Sequence, residues 1–366
     1  MTSELARRGI DVTCISSTAS PAADVEHAHR NATERDYEFV HVPFSPSGSP
    51  LRGRLANLRH PFSEHARSKP LLETIERELA RGYDVFHVEH LFNSWLTRGR
   101  DRSVSYVHCL EVVDRSDVEA TSFRDRQVLW QMRRATRHLL SSTERVIVMT
   151  DRLKREVRRW RRAPVAVAPM GLDTDLYELT PLPLARSVGL LGSMYWLPSR
   201  RAAERLLGIW PEIRRQVPSA TLRVGGWGAR RHLDVASMTE GAEVVSDVAD
   251  ASSFFREMRV LVYAPPRGSG MKVKVLEAMA YGRPVVTNDE GAEGLETLDG
   301  AGLRLARTDE ELVEATCALL EDDGLASEVG AAGRRAIGST LGPEKVGDRL
   351  LEAYGALGLL GLARRS

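Results

Sequence analysis

The stretch Ala264–Leu295, APPRGSGMKVKVLEAMAYGRPVVTNDEGAEGL, decides the fold of this chain. An apolar strand predicted over Val260–Tyr263 leads into a turn rich in proline and glycine. A helix predicted over Met271–Tyr281 follows the turn, and a second strand is predicted over Pro284–Thr287. This order is typical of one unit of a parallel α/β sheet, in which ligands bind at the carboxyl ends of the strands.

The turn itself has the residues of an anion site. Gly268 and Gly270 let backbone N–H groups approach a ligand closely, and the N-terminus of the following helix adds a favourable dipole. Lys272 and Lys274 add full positive charge. Lysine near a helix N-terminus opposes the dipole unless an anion lies opposite it, so the turn predicts a phosphate site.

The run GSGMKVKVLEAMAYGRPVVTNDEGAEGL resembles the donor-binding segment of the family 4 GT-B glycosyltransferases, with Asn288 where the family usually has threonine. The resemblance implies an α/β protein of the GT-B fold, with two Rossmann-like parallel-sheet domains facing across a cleft. It implies that Glu277 holds the ribose hydroxyls of a nucleotide-sugar and that the lysines face its diphosphate. Ser269 stands where the family usually has a first glutamate, eight positions before the second, that contacts the donor sugar.

The resemblance also implies site residues in two other segments. His108 and Glu111 match a His-x-x-Glu pattern at a strand end, so His108 is expected to hydrogen-bond the donor sugar or the acceptor, with Glu111 on the acceptor side. Gly192 and Ser193 are expected beneath the diphosphate. Catalytic roles are therefore predicted for His108, Lys272 and Lys274. Donor contacts are predicted for Gly192, Ser193, Gly268, Ser269, Gly270, Met271 and Glu277.

The length of 366 residues fits two domains. The resemblance places an acceptor-side domain at 1–170 and a nucleotide-sugar domain at 171–342, with a last helix at 343–357 packing back on the first domain. The family's first strand and glycine-rich loop have no counterpart ahead of the opening helix. We expect either a start upstream of Met1, which we favour, or a shortened copy, or another segment in place of that strand.

Composition and charge restrict the partners. The chain is 42% hydrophobic and 28% charged, and its net charge is +1. Residues 1–170 hold 28 Lys and Arg against 22 Asp and Glu, which suits an anionic acceptor or lipid, or simply a solvated arginine-rich surface. Residues 152–162 hold seven basic residues and Trp160, which predicts either a solvated helix face or peripheral contact with anionic lipid. No nucleic-acid partner is predicted.

The sequence predicts a cytoplasmic protein that at most touches the inner face of the cytoplasmic membrane. It shows no signal peptide and no apolar run of about 18 residues. Its three cysteines have no ligand spacing, which favours a reducing compartment.

A metal site is weighed and disfavoured. Nine of the ten histidines precede residue 140, but the candidate ligands lack a compact motif. Those candidates are His87, Glu89, His90, His108 and Glu111. No metal and no cofactor are predicted, since a nucleotide-sugar is a co-substrate.

The predicted function is transfer of a sugar from a nucleotide-diphosphate sugar to a hydroxyl of a polysaccharide, glycolipid or metabolite, with the retention that the resemblance implies. Fixed positive charge near the leaving phosphate is the natural catalyst for such a step. One alternative is a catalytically silent GT-B-like partner subunit. It is favoured by the absent first strand, by Ser269, and by Met170, which stands where the family's interdomain hinge usually has asparagine. A sugar-nucleotide epimerase is a weaker alternative, because its acid and base carboxylates are not found. The arginine-rich composition suggests a bacterial source, where such enzymes build surface polysaccharides.

Overall fold

The computed structural model describes residues 1–18, 22–44, 68–116, 123–234, 240–246, 248 and 250–360. Three predictions fall wholly or partly outside these ranges: the connection at 43–70, the start of the helix at 121–140, and the turn at 246–250. The chain divides into two units. The first holds Met1–Val112, Glu119–Ala168 and Val346–Ser366, and the second holds Val113–Val118 and Pro169–Lys345.

The first unit alternates helices with parallel strands. Its elements are α1 (Thr2–Arg7), β1 (Thr13–Thr18), α2 (Ala22–Glu34), β2 (Glu38–Pro43), α3 (Lys69–Leu79), β3 (Phe86–Glu89), a 3₁₀ helix (Leu91–Thr97), β4 (Ser103–Val107), α4 (Glu111–Asp114), α5 (Phe123–Ser142), β5 (Val146–Val148), α6 (Asp151–Arg158) and β6 (Val165–Val167). Helix α4 ends in residues of the second unit.

The strands of the first unit form two parallel sheets among the described residues. One pairs β1 with β2, and the other has the order β3-β4-β5-β6. Apolar side chains of β2, β3 and α3 share one cluster, which includes Val42, Val88 and Ile75. Strand β4 is buried along its whole length, as expected for a strand covered on both faces.

The second unit has one six-stranded parallel sheet. Its elements are a 3₁₀ helix (Thr174–Leu176), β7 (Ser187–Leu191), α7 (Leu197–Gln216), β8 (Thr221–Gly226), α8 (Ala229–His232), β9 (Ala242–Ser246), α9 (Ala251–Glu257), β10 (Val260–Tyr263), α10 (Val273–Ala280), β11 (Val285–Thr287), a 3₁₀ helix (Glu296–Leu298), β12 (Leu303–Leu305), α11 (Asp309–Glu321), α12 (Asp323–Leu341) and α13 (Pro343–Ala356). Helix α13 passes into the first unit at Val346.

The strand order of this sheet, β12-β11-β10-β7-β8-β9, reverses between β7 and β10. These two strands are neighbours, with Val188 opposite Val260 and Gly189 opposite Leu261. In open α/β sheets the loops that leave two such strands diverge and open a crevice at their carboxyl ends. The loops in question begin at Gly192 and Ala264, so the topology itself indicates where the second unit binds a ligand.

Three sequence predictions are wrong in detail. Residues 22–34 form α2, although the polar sequence of residues 17–36 predicts a loop. Its polar sequence lacks an apolar stripe, and among its described side chains only Ala32 is buried. The sequence favours Asp151 as the residue that caps α6, but the cap is Thr150, whose extended backbone lets its hydroxyl accept the N–H of Leu153 at 2.9 Å.

The third concerns α10, which begins at Val273 and not at Met271. Gly270 has a left-handed φ of +72° and Lys272 is extended, with φ −103° and ψ 101°. The turn therefore continues for two residues beyond its predicted end. Lys272 becomes the residue before the helix, and Lys274 lies within the first turn.

Candidate functional site

The donor turn, which we define as residues 264–272, leaves the carboxyl end of β10 in the second unit. Its backbone is held by the segment that follows β11. The Asn288 side chain donates to the carbonyl of Pro265 at 2.7 Å, and its carbonyl oxygen accepts the N–H of Gly291 at 3.0 Å. The N–H of Gly268 donates to the Glu290 carboxylate at 3.0 Å. Of the two glycine N–H groups predicted to meet an anion, that of Gly268 is therefore already hydrogen-bonded to a carboxylate of the protein.

Ser269 and Met271 are buried within this turn. The Ser269 hydroxyl donates to the Asp114 carboxylate at 2.7 Å, and Asp114 is also buried. A carboxylate from a distant part of the sequence thus reaches the position where the family usually has a glutamate. Nothing in the sequence marked Asp114, because it is separated from Ser269 by 155 residues.

Lys272 is turned back onto its own loop. Its amine donates to the carbonyl of Gly270 and lies 3.9 Å from the carboxylate of Glu293, which is fully buried. A Cβ on Gly268 would lie 3.1 Å from the Lys272 side chain, so glycine at that position lets the lysine lie flat against the turn. In this arrangement the positive charge of Lys272 is largely compensated by the Gly270 carbonyl and the Glu293 carboxylate.

Lys274 faces the loop that leaves β7. Its amine donates to the hydroxyl of Ser199 at 2.5 Å and lies 4.3 Å from the ring centroid of Tyr263. A Cβ on Gly192 would come within 2.6 Å of the amine, so the glycine is what admits the lysine. Two residues predicted from separate segments, Gly192 and Lys274, are therefore brought together at the crevice between β7 and β10.

The surroundings of Lys274 weaken its hold on a proton. Burial, together with the charge of Lys272, lowers its pKa to about 7, while the charge of Glu277 acts in the opposite direction. Glu277 is half-buried one helical turn further along α10. Burial raises its pKa, and the charge of Lys274 offsets only part of this shift. A lysine that titrates near neutrality in a crevice is a strong candidate for a functional group.

The loop after β7 and the carboxyl end of β8, from which the next loop leaves, are packed together through glycine. The N–H of Gly192 donates to the carbonyl of Gly225 at 3.0 Å, and any side chain on Gly226, whose φ is +125°, would collide with the carbonyl of Gly192. Ser193 is half-buried, and its carbonyl accepts the N–H of Trp196 at 3.2 Å. Beside these loops the ring of exposed Trp227 lies 4.5 Å from that of Tyr195.

The first unit holds the remaining two predicted residues. His108, directly after β4, is hydrogen-bonded through Nε2 to the carboxylate of Glu89, which ends β3. The other carboxylate oxygen of Glu89 lies 3.3 Å from Nε2 of His87. Glu111 is half-buried at the first position of α4. Among the described residues, no group of three or more His, Cys, Asp or Glu side chains is arranged to hold a metal ion.

Comparison with known proteins identifies the family. The profile described as Glycosyltransferase Family 4 matches residues 1–176, and that described as Glycosyl transferases group 1 matches residues 185–322. No curated protein has a matching sequence.

Several solved structures share the fold. Sucrose-phosphate synthase from Thermosynechococcus elongatus is 17% identical with a TM-score of 0.65, and the match covers 94% of this chain and 98% of that one. HepE from Anabaena, solved with UDP-glucose, is 14% identical with a TM-score of 0.63, covering 94% and 99%. TarM from S. aureus, solved with UDP and α-GlcNAc-glycerol, is 12% identical with a TM-score of 0.61, covering 78% and 59%.

The sequence prediction of the α/β GT-B fold is confirmed by these structures. The two profiles together cover most of the chain, and with the fold they identify its protein family. The chain belongs to the group 1, family 4 type of GT-B glycosyltransferases.

Proposed function

We propose that this chain transfers a sugar from a nucleotide-diphosphate sugar to a hydroxyl acceptor, with residues 171–342 serving the donor and residues 1–170 the acceptor. The observation that carries the proposal is the position of Lys274 against Gly192 and Ser199 at the crevice between β7 and β10. A cation at that point suits the diphosphate of a donor.

The proposed step needs a cation and no carboxylate pair. The bond between the anomeric carbon and the phosphate oxygen breaks, and a bond to the acceptor oxygen forms on the same face of the sugar, so the configuration is retained. The proton of the acceptor hydroxyl passes to the departing phosphate. Lys274 stabilises the charge that develops on this phosphate, and Glu277 holds the ribose. Lys272 contributes only if its amine leaves Gly270.

We propose that no metal ion takes part, because lysine charge and the N-terminus of α10 act at the same phosphate. Full activity in the presence of EDTA is the expected result. Retention is tested separately, by the coupling constant of the anomeric proton in the NMR spectrum of the product. A product with inverted configuration would contradict the proposed step.

A uridine nucleotide is the first donor to test, because HepE is solved with UDP-glucose. The exposed Trp227, whose ring is tilted against that of Tyr195, offers an aromatic face on which a base can lie. Base–aromatic stacking contributes roughly 1–3 kcal/mol. We therefore expect Trp227→Ala to weaken UDP binding by about tenfold in calorimetry. Equal affinity in the variant would place the base elsewhere.

The acceptor hydroxyl belongs to a polysaccharide, a glycolipid or a metabolite. A complex of TarM contains α-GlcNAc-glycerol, a sugar joined to a small polyol. The direct test is release of UDP or GDP from a panel of nucleotide-sugars and acceptors, comparing the natural chain with Lys274→Met. Lys345→Met is a matched control, because Lys345 is exposed in the same unit. Nucleotide binding without transfer to any acceptor would favour a silent partner subunit.

We propose that the protein acts in the cytoplasm and contacts the membrane peripherally. Helix α5 supports this contact better than residues 152–162 alone. The apolar residues of α6, Leu153 and Val157, are buried, so α6 presents only charged residues to solvent, most of them basic. On α5, Phe123 is 77% exposed and Trp130, two turns later, is 60% exposed. The guanidinium of Arg134 lies 5.6 Å from the Trp130 ring. Among the described residues, no helix is both long and apolar enough to cross a membrane.

Aromatic residues flanked by arginine suit an anionic lipid surface. We expect the chain to co-sediment with vesicles rich in phosphatidylglycerol more than with phosphatidylcholine vesicles, and Trp130→Ala to reduce this binding several-fold. Tyr83→Ala, at a half-exposed position of the same unit, is the control. Equal binding to both kinds of vesicle, or none to either, would contradict the proposed contact with anionic lipid.

A further inference from the structure

A chain of polar contacts in the first unit ends at His108. The Tyr354 hydroxyl, on α13, lies 2.6 Å from Nδ1 of His87. Nε2 of His87 lies 3.3 Å from one oxygen of Glu89, and Nε2 of His108 is hydrogen-bonded to the other. The four residues come from α13, β3 and the end of β4, so the fold and not a local motif brings them together.

The carboxylate in the middle of this chain is ionised. Partial burial raises the pKa of Glu89, but contacts with His108 and His87 outweigh that effect and lower it to about 2. An ionised carboxylate only accepts hydrogen bonds, so Nε2 of His108 must carry the hydrogen that it donates. The neutral imidazole of His108 then has its lone pair on Nδ1.

The ring of His108 is also held in orientation. The ring of Tyr106 packs edge-on to it at 5.0 Å between centroids, and the Tyr106 hydroxyl is anchored on the carbonyl of Ala168 at 2.9 Å. The His90 ring lies edge-on at 6.3 Å. The His108 side chain is nevertheless 37% exposed, so it can still meet a ligand.

We propose that Glu89 is a positioning residue for His108. It holds the Nε2–H tautomer and the ring orientation, so that Nδ1 accepts a hydrogen bond from a substrate hydroxyl. The role of His108 toward a sugar or acceptor hydroxyl rests on the proposed function, whereas the control of its tautomer by Glu89 does not. The pairing of Glu89 with His108 joins the ends of two strands, and no sequence pattern marks it, since the sequence makes Glu89 only a disfavoured candidate metal ligand.

The tautomer is tested directly by long-range ¹H–¹⁵N NMR of the full chain labelled at histidine, at pH 8, with His108→Gln to assign the signals. We expect the Nε2–H form for His108 in the natural chain and in Glu73→Gln, an exposed matched control. In Glu89→Gln, whose amide both donates and accepts, we expect a mixture of the two tautomers. An unchanged tautomer in Glu89→Gln overturns the proposal. A shift of the His87 and His108 signals on adding EDTA overturns it too, because those residues would then be metal ligands.

Kinetics tests the consequence for catalysis. We expect kcat of Glu89→Gln to fall at least about tenfold with KM for the nucleotide-sugar unchanged, and Glu89→Asp to recover part of the loss. A changed tautomer with unchanged kcat overturns the positioning role. A locked tautomer in a chain that binds no nucleotide-sugar leaves Glu89 in control of His108 and overturns the proposed function instead.

Discussion

At the scale of single residues, the amine of Lys274 lies against a hydroxyl, an aromatic face and a glycine, and none of these carries a full negative charge. Its pKa of about 7 follows from that environment, because burial and the nearby Lys272 disfavour the charged form. The arrival of a diphosphate would supply the missing negative charge. Binding of the donor and protonation of Lys274 should therefore be linked.

This linkage predicts how donor binding depends on pH. Below pH 7 Lys274 is already charged, so the affinity for a nucleotide-sugar should be constant there. Above pH 7 the free protein must first take up a proton, so affinity should fall by up to about tenfold per pH unit. The measurement is calorimetry between pH 6 and pH 9 with a nucleotide-sugar, whose phosphates do not titrate in this range.

Two controls make the pH series decisive. Calorimetry in buffers of different ionisation enthalpy should show proton uptake on binding at pH 8. Lys274→Met should bind more weakly and without this pH dependence. A pH dependence that persists in Lys274→Met would assign the titration to another group, and flat binding in the natural chain would contradict the lowered pKa.

At the scale of elements, the crevice depends on how closely the loop after β7 approaches the carboxyl end of β8. Gly226, with φ +125°, allows the Gly192 loop to pack against it, and Gly192 in turn admits Lys274. We expect Gly226→Ala to destabilise the chain by at least about 2 kcal/mol, because the new methyl collides with backbone in a conformation unfavourable for alanine. Chemical denaturation measures the change, and calorimetry should show that donor binding is lost.

Gly208→Ala is the matched control for this substitution. Gly208 is exposed within α7, and a Cβ there would meet nothing within 4 Å. Alanine should stabilise the helix by about 0.5–1 kcal/mol and leave binding unchanged. If Gly226→Ala behaves like Gly208→Ala, the close approach of the Gly192 loop to β8 does not support the site.

The same elements show what the sequence could predict. Strand β10 has its predicted bounds, because a continuous apolar run between turn residues marks a buried parallel strand well. Helix α2 was missed because its contact with the core is slight. Its sequence therefore lacks the periodic apolar residues that identify most helices.

Side-chain partners were harder to predict than elements. The glycines and lysines of the donor turn are adjacent in sequence, so their pattern was readable, but the direction of each lysine amine was not. Ser199 meets Lys274 across 75 residues, and Asp114 meets Ser269 across 155. Such contacts depend on which strands become neighbours, and local periodicity carries no information on that.

At the scale of the whole molecule, each unit contributes one cluster of candidate functional residues. The second unit supplies the crevice around Lys274 and Glu277, and the first supplies His108 with its partner Glu89. If donor and acceptor bind to separate units, variants in the two units should differ in nucleotide binding. Substitution of Lys274 or Glu277 in the second unit should weaken nucleotide binding, whereas Glu89→Gln should leave it intact.

The most direct test of the central claim is calorimetry of the full chain against UDP and GDP, with Lys274→Ala and Glu277→Ala, and with Lys345→Ala as the control. We expect saturable binding of one nucleotide, weakened at least about tenfold by each of the first two changes and unaffected by the third. Absence of binding to either nucleotide by a chain shown to be folded, or binding indifferent to Lys274 and Glu277, would contradict the donor site proposed for the second unit.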